Sequence, residues 1–110
     1  MNLLKETVEI LSRHGKSPSD VEWIGNASFH FSWDVFLTAA NADYNNGYGG
    51  HEVAADLLVV GKDFWLERHE YDGSEWWEYK EHPPKPSKTS LPETLFTDTD
   101  NLKPKDVADE

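Results

Sequence analysis

Five histidines, His14, His30, His51, His69 and His82, lie among 21 acidic residues in a chain of 110, so metal binding and acid–base chemistry come first. The metal set to weigh joins His51 and Glu52, beside a glycine-rich stretch, to His69 or Glu70 further on. Its spacing is poor. There is no HExxH pair, and neighbouring residues of a regular strand point to opposite faces, so His69 and Glu70 could not ligate one ion together. The chain has no cysteine, which removes thiolate zinc sites, cysteine nucleophiles and disulfides. No nucleophile elbow or phosphate-binding loop is present either, and Tyr48-Gly49-Gly50-His51 fits no dinucleotide pattern. The expectation is a protein that is not an enzyme and carries no cofactor, with a metal-dependent hydrolase using His51 and His69 as the catalytic alternative.

The acids make a stronger pattern. Residues 17–79 hold twelve Asp and Glu against only Lys62 and Arg68, so nearly all of the net charge of −11 sits there. Within that stretch Glu67, Glu70, Asp72, Glu75, Glu78 and the nearby Glu81 follow one another at short intervals around Trp76 and Trp77. A solvated face usually mixes both signs, whereas like charges on neighbouring strands cost stability. Charge kept at such a cost points to a partner. Carboxylates at strand spacing with aromatic residues between them imitate the charge pattern of a nucleic-acid backbone and suit a basic groove. Direct nucleic-acid binding is disfavoured, since phosphates need Lys and Arg. The expected partner-binding residues are therefore Glu67, Glu70, Asp72, Glu75 and Glu78, with Trp76 or Trp77 as an apolar anchor.

These residues must be positioned by a small fold. Leu3, Leu4, Val8, Ile10 and Leu11 form a helical stripe stopped by Gly15, and Ser17-Pro18-Ser19-Asp20 reads as a turn before a short strand at Val21–Gly25. Ser32 is a cap candidate for a second helix carrying Trp33, Phe36, Leu37, Ala39 and Ala40, and residues 43–50 are loop-forming. Three strands follow, at Val53–Val60, Phe64–Tyr71 and Glu75–Glu81, the last two joined by Asp72-Gly73. A two-residue loop pairs Leu66 with Tyr79 and Arg68 with Trp77. A three-residue loop shifts the register by one and exchanges the faces of Trp76 and Trp77. Both registers are open at this level.

The expected architecture is α+β: two helices packed on a three- or four-stranded antiparallel sheet ending in a β-meander. Residues 1–82 form the single domain. Residues 83–110 hold five of the six prolines and no Trp or Tyr, and read as a flexible tail with Leu91–Phe96 as an apolar clip that could dock back. Thirteen per cent aromatic content excludes a wholly disordered acidic chain. No run reaches the length of a membrane span, and the first residues lack the basic start and apolar stretch of a signal peptide, so a cytoplasmic protein is expected.

The strings Gly47-Tyr48-Gly49-Gly50-His51-Glu52-Val53 and Trp65-Leu66-Glu67-Arg68-His69-Glu70-Tyr71-Asp72-Gly73-Ser74-Glu75-Trp76-Trp77-Glu78 resemble a group of small uncharacterised acidic proteins from phages and mobile elements of Gram-positive bacteria. The resemblance covers about residues 3–80 and brings no settled activity with it. Size and acidity are also similar to anti-CRISPR proteins, many of which occupy the nucleic-acid groove of an effector nuclease. That likeness implies a stoichiometric inhibitor of a basic nucleic-acid-binding protein such as a CRISPR effector complex, acting as monomer or homodimer. An immunity protein neutralising a basic nuclease toxin is the competing binding function.

Overall fold

The structure is a computed structural model, and it describes residues 1–45 and 52–96. Helix α1 spans Leu3–Arg13, with Asn2 accepting a bond from the Lys5 amide at 3.0 Å. It ends in a Schellman motif: the Lys16 N–H returns to the Leu11 carbonyl at 2.8 Å, that of Gly15 to Ser12 at 3.0 Å, and Gly15 takes a φ of 71°. Helix α2 spans Trp33–Ala39, and its cap Ser32 accepts from the Val35 amide.

Among the described residues five antiparallel strands form one sheet: β1 (Val21–Gly25), β2 (His30–Phe31), β3 (Leu58–Gly61), β4 (Phe64–Tyr71) and β5 (Ser74–Glu81), in the spatial order β2-β1-β3-β4-β5. The α+β class and antiparallel meander are as expected, with one strand more than the three or four read from sequence. The addition is β2, whose two residues are too few to show an alternation. The strand expected over Val53–Val60 is regular only from Leu58, because the preceding residues turn so that the Glu52 and Val53 amides face the β4–β5 hairpin.

Both helices lie on one face of the sheet. Phe31, Ile24, Val59, Leu66 and Tyr79 form one cross-strand row on that side. Ile24, Val59 and Leu66 are fully buried with Phe36 and Ala40 from the second helix and its cap, Leu11 from the first, and Phe64 and Trp77. Each fully buried aliphatic or aromatic side chain contributes about 1.5–3 kcal/mol, so this single cluster is the main drive for closure. Beyond Glu81 the described residues 82–96 form neither helix nor strand. Leu91 and Leu95 are 95% and 80% exposed, so the expected apolar clip does not dock.

The hairpin register is the two-residue one, pairing Leu66 with Tyr79 and Arg68 with Trp77. Asp72 (φ 51°) and Gly73 (φ 86°) both adopt the left-handed conformation, as a type I′ turn demands. Gly73→Ala should therefore cost about 1–2 kcal/mol in urea denaturation, because a side chain there opposes the turn. Asp72→Gly should change stability by less than about 0.5 kcal/mol. Equal stability of Gly73→Ala and the parent would contradict the turn assignment.

Candidate functional site

The register divides the hairpin into two unlike faces. On the helix side, alternation brings Arg68 and Glu75 into the core, both with fully buried side chains. Arg68 Nη2 lies 2.7 Å from Glu75 Oε1 and 3.2 Å from the Tyr44 hydroxyl, and Nη1 lies 3.3 Å from Glu6 Oε2. Glu75 also accepts the backbone N–H groups of Glu52 at 2.8 Å and Val53 at 3.3 Å. The guanidinium rests over the Trp77 ring, 4.8 Å from its centroid, and the Trp77 indole donates to Thr7 Oγ1 at 2.8 Å. Thr7 in turn donates to the Leu3 carbonyl at 2.7 Å.

Burial opposes the charges of this cluster, but their partners prevail. Desolvation would raise the Glu75 pKa, yet the Glu52 amide and Arg68 outweigh it and hold the carboxyl below its ordinary value. Arg68 likewise sits above its ordinary value, since Tyr44, Glu75 and Glu6 outweigh desolvation. Tyr44 is pushed up to about 12, first by burial and then by donating its hydroxyl proton to Glu6. Arg68 Nε has no acceptor among the described residues. A guanidinium enclosed in this way holds the fold together and cannot meet a ligand.

On the opposite face the strands align in rows. Trp23, Val60, Trp65 and Lys80 form one; Gly25, Leu58, Glu67 and Glu78 form the next, and His69 with Trp76 the third. Glu67 and Glu78 stand directly opposite each other, a like-charge pair that alone would destabilise the hairpin. Neighbours relieve it. The Trp65 indole donates to Glu67 at 2.8 Å, His69 Nε2 lies 2.9 Å from the same carboxylate, and the Trp76 indole donates to Glu78 at 3.2 Å. Lys80 Nζ is 3.5 Å from Glu78, and the His69 and Trp76 rings lie 6.4 Å apart. The indole bonds, and then His69 and Lys80, hold both carboxyls below the ordinary range, so they stay ionised.

The expected partner-binding residues thus divide. Glu67, Trp76 and Glu78 share the face without helices. Glu70 and Asp72 are exposed at the hairpin tip, where Glu70 accepts the Gly73 amide at 2.9 Å. Glu75 and Trp77 turn to the helix side, away from the open face, and are 0% and 4% exposed. Their parity is that of Leu66, and the core-facing ion pair and indole bond account for their inward turn. Trp23, Trp65 and Tyr71 belong to the open face but are not singled out by the sequence pattern; alternation along β4 places the last two on the face of Glu67 whatever the hairpin register. Among the described residues no group of three His, Cys, Asp or Glu could hold a metal. His51 lies outside those residues, while His69 engages Glu67 and Glu52 accepts the Asn45 amide at 2.8 Å. Among the described residues no helix is long and apolar enough to cross a membrane. No family model, curated protein or solved structure matches the chain.

Glu75→Gln keeps the size of the side chain but leaves Arg68 without its closest charge partner, and should lower stability by about 3–5 kcal/mol at neutral pH. Because the folded-state pKa of Glu75 is depressed, its stabilisation is present above the ordinary carboxylate pKa of 4.5 and is lost as pH falls through the folded value. The gap between parent and Glu75→Gln should therefore narrow between neutral and strongly acidic pH in chemical denaturation. A gap constant across that range would contradict the buried pair.

Proposed function

We propose that this protein is a stoichiometric inhibitor that lays the open face of its sheet against a cationic groove of a nucleic-acid-binding protein, a CRISPR effector complex being the target class. The observation that carries the proposal is the pair Glu67 and Glu78, kept ionised and held in place by the indoles of Trp65 and Trp76 on a sheet face that neither helix covers. Two carboxylates fixed by neighbouring donors present charge with less side-chain entropy left to lose on binding, which favours affinity for arginine and lysine. Flanking aromatic rings add apolar area and cation–π attraction of about 0.5–2 kcal/mol per well-placed contact. Such a surface competes with phosphates for the same basic side chains. The net charge of −11 would also speed encounter with a basic partner at low ionic strength.

A pull-down from cells carrying CRISPR effectors, run at low and high salt, tests this directly. Recovery of an effector at low salt, falling at least about tenfold with the Glu67→Gln/Glu78→Gln double variant or with added salt, is the expected result. The double variant leaves the buried Arg68–Glu75 pair intact, so it should remain folded by circular dichroism. Recovery unaffected by both changes would refute the electrostatic face. Capture of a basic nuclease toxin in place of an effector would assign the same face to an immunity protein.

A further inference from the structure

The sheet ends at β5, and that edge is long. At the other edge β2 offers only two residues, while β5 offers eight. In antiparallel pairing, alternate residues turn their backbone N–H and C=O groups toward the neighbouring strand and the others turn them away. The type I′ turn makes Tyr71 and Ser74 a hydrogen-bonded pair, and the bond from the His82 amide to the Asp63 carbonyl at 3.0 Å keeps the same parity at the far end. Past Glu75, which shares their parity, Trp77, Tyr79 and Glu81 are thus the residues of β5 whose backbone groups point away from β4. Among the described residues none of them has a backbone partner on that side.

A groove of about 360 Å³ runs beside this edge, lined by Glu6, Glu9, Ile10 and Arg13 of α1 together with Met1, Trp76 and Trp77. Trp76 and Trp77 point to opposite faces of the sheet, so a cavity that touches both reaches round the strand edge. An extended chain placed there would continue the sheet. Its alternate side chains would fall between α1 and β5, and the others beside Trp76 and Glu78 on the open face.

We infer that β5 accepts an extended, lysine- or arginine-bearing segment of the partner as a sixth antiparallel strand, seated in the groove between α1 and β5. The inference rests on the cationic partner proposed above and specifies how it docks. Charge complementarity selects the occupant. Glu9 stands on the helix wall, Glu78 and Glu81 flank the strand, and Arg13 is the one cationic side chain among the described residues of the lining, the Met1 ammonium being bonded to the Tyr44 carbonyl. A second copy is disfavoured as the occupant, because each brings a further net charge of −11 to the junction. Main-chain bonds supply affinity in such a mode, and the alternating side chains supply selectivity.

The test uses the full chain with an alternating lysine–valine decapeptide, the same peptide N-methylated along its backbone, and a glutamate–valine control. The unmodified cationic peptide should bind and slow amide hydrogen exchange at Trp77, Tyr79 and Glu81. N-methylation keeps every charge but removes the donors, and should weaken binding at least about tenfold. Glu81→Pro, which deletes one outward N–H at an exposed end of the edge, should weaken the unmodified peptide more than the methylated one. Equal binding of both cationic peptides, without protection at the edge, would overturn strand addition and leave the electrostatic face standing. Failure of both cationic peptides to bind would overturn the face as well. Concentration-dependent dimerisation that protects the same three amides would assign the edge to a second copy and overturn the inference.

Discussion

Arg68 is a buried cation, and the rest of the molecule is arranged to keep it satisfied. Its guanidinium reaches Glu6 on α1, Tyr44 after α2 and Glu75 on β5, while Glu75 also gathers the amides of Glu52 and Val53. Four separate parts of the chain are fixed by one cluster of charge. Removing Glu75 leaves Arg68 with only the more distant, partly exposed Glu6 as a charge partner, a cost of several kcal/mol against a total stability of about 5–15 kcal/mol for a domain. The same cluster ties the hairpin to the helix layer through the Trp77–Thr7 bond.

The burial of this pair decides what the opposite face can be. Strand residues alternate, so drawing Leu66, Arg68, Glu75 and Trp77 inward turns Trp65, Glu67, His69, Trp76 and Glu78 outward. Among the described residues α1 and α2 cover one side of the sheet, and the other side keeps its aromatic residues partly in solvent. The indole-to-carboxylate bonds along each strand then do for the open face what the ion pair does for the core, restraining charge in place. A docking surface of this kind follows from the parity that the core imposes.

Much of the frame was legible in the sequence, because local chemistry specifies it. Gly15 stops α1, Ser32 caps α2, and Asp72-Gly73 closes the hairpin, each for a backbone reason visible in a few residues. The register was not, since both loop lengths suit Asp-Gly, and a shift of one residue exchanges the faces of Trp76 and Trp77. With it went the fate of the acids: Glu75 looks in sequence like Glu67 or Glu78, and only Arg68 at the same parity marks it as a core partner. Glu6 and Tyr44 are distant in the chain and carry no local sign that they meet Arg68. Leu91–Phe96 was apolar enough to suggest docking, but Leu91, Leu95 and Phe96 stay exposed against the described residues.

The account stands on the open face being receptive to cations at Trp65 and Trp76. The most direct measurement is a titration of the protein with octa-arginine, followed by the nitrogen–proton signals of its five tryptophan indoles in magnetic resonance. The account predicts that the Trp65 and Trp76 indole signals move, because the carboxylates they bond are engaged, and return when about 0.5 M salt screens the contact. Silence of those two signals while others shift, or shifts that persist in high salt, would contradict it.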